Sequence, residues 1–93
     1  MMIEELVEHY VRNTQKIFHQ INERGHPIDR KAEQVLDHAR NYLDDAIYYC
    51  DRKRFEIALV SVAYCEGLLD ALRLLELVKF EWSMQTGSKR ERR

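Results

Sequence analysis

Phe55-Glu-Ile-Ala-Leu-Val-Ser-Val-Ala-Tyr-Cys-Glu-Gly-Leu-Leu-Asp-Ala-Leu-Arg-Leu-Leu-Glu-Leu-Val-Lys-Phe-Glu-Trp82 is the stretch whose reading decides the fold. On a helix, successive residues turn by about 100°. That places Ile57, Val60, Tyr64, Gly67, Leu68, Ala71, Leu74 and Leu75 on one face, with Val78 and Trp82 continuing it. Ala58, Val62, Cys65, Leu69 and Leu72 widen the apolar arc past roughly 200°, about twice what a helix lying on a single neighbour needs. The segment is therefore expected to be sandwiched, either between two helices of its own chain or between its own chain and another copy.

Upstream, Ile3, Leu6, Val7, Tyr10, Val11, Thr14, Ile17, Phe18 and Ile21 recur at alternating steps of three and four, the mark of one buried stripe. Arg24-Gly25-His26-Pro27 ends that helix, because Gly supplies a left-handed cap and Pro disfavours helix at the residue before it. Asp29 is placed to cap a second helix. Along it, Ala32, Ala39 and Ala46 form a seven-residue row beside parallel rows of Val35, Tyr42, Tyr49 and Leu36, Leu43, Cys50. An alanine row admits a close neighbour. Ala63, Gly67 and Ala71 offer a matching small row, so Ala39 and Ala46 are expected to meet them in the tightest helix pair of the fold.

The fold class is all-α, a three-helix antiparallel up-down bundle with helices over 3–23, 29–51 and 54–82 in one domain, residues 1–82. The turn near Asp51-Arg52-Lys53-Arg54 is inferred from a charge cluster and a phase shift, with no Gly or Pro to mark it. Residues 83–93 lose periodicity and read as a disordered basic tail. The 93 residues carry a formal net charge of −1, which gives the body no basic field for non-specific nucleic-acid binding. Cys50 and Cys65 lack any CxxC spacing and read as free thiols. With no leader and no uninterrupted membrane-length apolar run, a cytoplasmic location is expected.

Ala39-Arg-Asn-Tyr42-Leu-Asp44-Asp45-Ala46, then Phe55-Glu-Ile-Ala58, then Tyr64-Cys-Glu-Gly67-Leu-Leu69-Asp70-Ala71 resembles the archaeal domain-of-unknown-function family 357. The resemblance covers Ala39 to Leu75 and implies a small three-helix bundle from an archaeal source with no assigned activity. The chain departs from the family pattern twice. Lys53-Arg54 stands where the family usually has Gly-Asp, and Glu66 stands where it often has His.

Asp45, Tyr49, Tyr64, Glu66, Asp70 and Arg73 form the candidate polar cluster. Glu66, Asp70 and Arg73 share one helix stripe, read as a solvated strip with an Asp70 to Arg73 pair or as an inward contact from Asp70 to Tyr42, Tyr49 or the turn. Asp45 with Glu66 and Asp70 is a weak metal set, since facing Glu-x-x-His motifs are absent. No nucleophile elbow, Gly-rich phosphate loop or dinucleotide fingerprint occurs, so no catalytic residue, cofactor or metal is assigned. The expected function is a helical interaction module that forms a homodimer or docks on a larger protein. The alternatives are an RNA-associated or nucleotide-metabolism accessory domain, using the tyrosines and the basic tail, and, least favoured, an enzyme built on the carboxylates. A dimer is expected to bury Leu77, Phe80 and Trp82, which extend beyond the second helix.

Overall fold

The computed structural model describes residues 2–25 and 27–82. The tail expected at 83–93 lies outside the described residues, as does His26. Three helices follow one another, α1 (Ile3–Arg24), α2 (Arg30–Asp51) and α3 (Phe55–Leu74), and no strand occurs among the described residues. A helix of 22 residues is about 33 Å long. The molecule measures 37 × 29 × 21 Å, so consecutive helices joined by short turns must run antiparallel.

α1 begins where the Met2 backbone N–H donates to Glu5 Oε1 at 3.1 Å, and it ends at Gly25 in the left-handed conformation, φ 65°. Its stripe buries Val7, Val11, Thr14, Ile17, Phe18 and Ile21. α2 is capped by Asp29, whose Oδ2 accepts from the backbone N–H groups of Lys31 at 3.0 Å and Ala32 at 3.3 Å. Its core face alternates alanine and leucine, and Ala32, Leu36, Ala39, Leu43 and Ala46 are all buried. The contact between α2 and α3 is the most extensive of the three helix pairs.

The turn between α2 and α3 is a Schellman motif built without glycine. Arg54 N–H donates to Tyr49 O at 2.8 Å and Lys53 N–H to Cys50 O at 3.0 Å, with Lys53 at φ 62°. A side chain at that φ costs on the order of 1 kcal/mol. The same motif closes α3 after Leu74, eight residues before the expected end at Trp82. There Glu76 takes φ 63°, Glu76 N–H donates to Arg73 O and Leu77 N–H to Leu72 O, both at 2.9 Å. The strain at Glu76 is offset by what the turn allows, since each large apolar side chain buried contributes roughly 1.5–3 kcal/mol. The segment 75–82 folds back, burying Val78 and Phe80 within its own chain, while Gln20 of α1 bonds the Glu81 backbone through both its amide groups at 3.0 and 3.1 Å. Phe80 and Trp82 thus pack against the core of their own chain, which corrects the expectation that a second copy is needed to cover them.

α3 also faces the other way from expectation. The core takes Ala58, Ser61, Val62, Cys65, Leu69 and Leu72, the arc read from sequence as the extension. Ala63, Gly67 and Ala71 are exposed, and a Cβ added at Gly67 meets nothing within 4 Å. The small residues that α3 buries are Ala58, Ser61 and Cys65, so the close contact expected between Ala39, Ala46 and Ala63, Gly67, Ala71 does not form. Overpacking at Gly67 is accordingly not a hazard to the single chain. Gly67→Ala is expected to stabilise the bundle in dilute solution by about 0.5–1 kcal/mol, the usual gain for an unconstrained interior helix glycine. A thermal melt that shows a loss would put Gly67 back in a close contact.

Candidate functional site

The C-terminal half of α3 carries Glu66, Asp70 and Arg73 down one side of the helix, and the fold-back brings Trp82 over them. Asp70 Oδ1 accepts from Arg73 Nε and from Trp82 Nε1, each at 3.0 Å, and forms an ion pair with Arg73 Nη2 at 2.9 Å. Its partner across the fold is therefore the indole of Trp82, where the sequence offered Tyr42, Tyr49 or the turn backbone. The indole in turn meets Phe80 edge to face, ring centroids 5.1 Å apart. Ala63, Glu66, Gly67, Asp70 and Trp82 line a shallow depression of about 340 Å³ over the exposed backbone of Gly67.

Glu66 has the most altered carboxyl among the described residues. Burial pushes its pKa up from 4.5 to about 7, a nearby Asp70 charge adds to the rise, and the hydroxyl of Thr14 opposes it. That opposing contact, Thr14 Oγ1 to Glu66 Oε2, is long at 3.5 Å and correspondingly weak, because the same hydroxyl already donates to Tyr10 O at 2.8 Å. Since folding raises this pKa, the group favours the folded state fully below pH 4.5 and loses that contribution as pH rises through about 7. Glu66 is half-buried, so solvent screening reduces the effect to about 1–2 kcal/mol. Glu66→Gln is expected to raise stability by that amount near pH 8 and to change it little near pH 5. Denaturant titrations of both proteins at the two pH values are the check, and a difference that does not grow with pH would mean Glu66 is solvated in the native state.

The six residues of the expected cluster separate. Glu66, Asp70 and Arg73 stay together and gain Trp82 and Thr14; periodicity places Thr14 in the buried stripe of α1 but does not reveal its contact with Glu66. Asp45 is exposed on α2, and it joins no hydrogen bond or ion pair among the described residues. Tyr49 packs edge to face on Tyr48 and Tyr64 on Tyr42, with centroids 5.1 and 4.5 Å apart. Arg52 lies over the Tyr48 ring at 4.4 Å. These rings cap one another edge to face and do not present a row of parallel faces for bases to stack on. No group of three or more His, Cys, Asp or Glu is gathered as a metal would require among the described residues. Cys65 is buried, its thiol pushed up to about 12 chiefly by burial, which leaves it unreactive.

A second feature of α3 is larger than the depression beside it. Ile57, Val60, Tyr64, Gly67, Ala71 and Leu74 succeed one another at steps of three, four, three, four and three along the outward side. Val60 is 70%, Leu74 68% and Leu75 67% exposed. The spacing is that of a coiled-coil seam. Among the described residues, Tyr42 packs on the Tyr64 ring and Trp82 stands beside Gly67, and the rest of the seam is left open.

A three-helix bundle with one helix apolar on both its inner and outer sides is the class that fold and site define. The chain matches the family described as "Protein of unknown function (DUF357)" over residues 9–78 and belongs to that family. No curated protein matches it. Among the described residues, no helix is long and apolar enough to cross a membrane.

Proposed function

We propose that this chain is a helical interaction module that binds another protein surface through the outward face of α3. The observation that carries the reading is the exposure of that face: a helix apolar on both its inner and outer sides is ordinarily covered on both, and here the chain covers the inner one. Isolated exposed leucines are common, but a contiguous stripe from Ile57 to Leu75 exceeds what monomeric proteins usually show. The depression at Gly67 is too open and too sparsely lined to hold a small molecule tightly. Its carboxyls lack the further groups that would complete an acid, a base and a substrate anchor.

The test is a photo-reactive side chain placed at Val60 in cells of the source organism, with the same group at exposed Glu33 of α2 as control. One dominant adduct at position 60, identified by mass and absent at position 33, is expected. Equal, diffuse labelling at both positions would remove the interaction reading.

A further inference from the structure

We propose that the partner on this face is a second copy of the chain, packed α3 on α3 in antiparallel orientation about a two-fold axis at Gly67. The proposal rests on the interaction reading above and adds its occupant and geometry. The seam from Ile57 to Leu75 has Gly67 close to its midpoint, with Tyr64 on one side of it, Ala71 on the other, and bulk at both ends. A two-fold axis crossing the helices near that midpoint pairs each residue with one about equally far on the other side. It sets Val60 against Leu74 of the second copy, and Tyr64 beside its Ala71. Large thus meets small next to the centre, and at the centre two glycines let the backbones approach closely.

The parallel arrangement is worse on the same residues. It sets Val60 on Val60 and Leu74 on Leu74, holding the helices apart at both ends over a void at Gly67. It also aligns the two helix dipoles, which the antiparallel pair opposes. The face has enough to bury in a second copy: Val60 is 70%, Leu74 68%, Leu75 67% and Tyr64 49% exposed, and covering a large apolar side chain contributes roughly 1.5–3 kcal/mol. Neither Arg nor Lys lies on the seam, and the charges nearest to it are Glu56 at its end and Asp70 at its side. Asp70 is already matched by Arg73 and Trp82, so a neutral partner face leaves it no worse paired.

The orientation is read by crosslinking in a Cys50→Ser background, with Cys65 left in the core where it cannot react. Sedimentation equilibrium in the micromolar range is expected to show twice the 11.2 kDa chain mass. On mild oxidation, Gly67→Cys is expected to link to itself, and Val60→Cys to link to Leu74→Cys only when the two variants are mixed. Leu74→Cys alone is expected to remain unlinked, because an antiparallel pair holds the two copies of residue 74 about 21 Å apart along the axis, far beyond disulfide reach. Gly67→Lys, whose side chain enters open space in the single chain, is expected to give a monomer with unchanged helical circular dichroism. Self-linking of Leu74→Cys would overturn the antiparallel geometry, and a dimeric Gly67→Lys would overturn the axis. A wild-type chain that stays monomeric while Val60 labels a different protein overturns the second copy and leaves the interaction reading standing. Monomer together with no specific label at Val60 removes both.

Discussion

In the dilute, monomeric chain, Leu69→Ala is expected to lower the stability of the bundle by about 3–4 kcal/mol, while Leu74→Ala, five residues further along the same helix, changes it by less than about 0.5 kcal/mol. Leu69 is fully buried on the inner face of α3, and its loss removes transfer free energy and leaves a cavity between helices that cannot close around it. Leu74 is 68% exposed, and its truncation leaves water where water already was. A domain of this size has the lower part of the usual range of about 5–15 kcal/mol to lose, so the first variant should be substantially unfolded a little above room temperature. Urea titration is the measurement: the midpoint of Leu69→Ala falls with little change in slope. Comparable losses from both variants would mean that the face assigned to solvent is buried in the species measured, as it would be in a tight dimer, and dilution separates those cases.

The contrast between these two leucines also shows why α3 is harder to read than α1 and α2. In α1 the polar positions between Val7, Val11 and Phe18 point one side to water, so the period carries a direction as well as a helix. Asp29 and Gly25 then mark the boundaries by chemistry that acts locally, an Asp oxygen on free N–H groups and a left-handed φ. In α3 the only polar strip, Glu66, Asp70 and Arg73, lies between two apolar arcs and opposes neither of them. Its period identifies a helix without saying which of two apolar arcs faces in, and the larger residues on the outer arc give that arc the look of the core. The end of α3 is hidden for a different reason, because Glu76 occupies the left-handed position where glycine is the usual signal. One sign is present: Val78, Lys79, Phe80, Glu81 and Trp82 alternate apolar and charged at period two, the pattern of an extended segment with one side buried. At the site, Glu66, Asp70 and Arg73 can be grouped from their spacing on one helix. Their partners Thr14 and Trp82 come from α1 and from the fold-back, and no local rule joins residues across those distances in the chain.

Phe80→Ala tests that fold-back, with an expected loss of about 2–3 kcal/mol. A buried Phe truncated in a core typically costs about 3–5 kcal/mol, and Phe80 is only 5% exposed. The segment that carries it can detach, however, without unfolding the helices it lies on. The loss is therefore limited to the free energy with which 75–82 stays docked, through Val78, Phe80, the Gln20 bonds to Glu81 and the Trp82 bond to Asp70. Detachment has its own signatures. The Trp82 emission is expected to shift to the red before any denaturant is added, and the unfolding slope to fall, because the native state of the variant already exposes surface. Glu66 couples to the same event. Trp82 lines the same depression as Glu66, so with Trp82 gone the carboxyl gains water and its pKa falls back from about 7, and in the Phe80→Ala background the stabilising effect of Glu66→Gln near pH 8 should shrink. A Phe80→Ala protein with unshifted Trp82 emission and an undiminished Glu66→Gln effect would show that the segment is held by the Gln20 and Asp70 hydrogen bonds alone, and that the burial of Phe80 adds nothing to keep it in place.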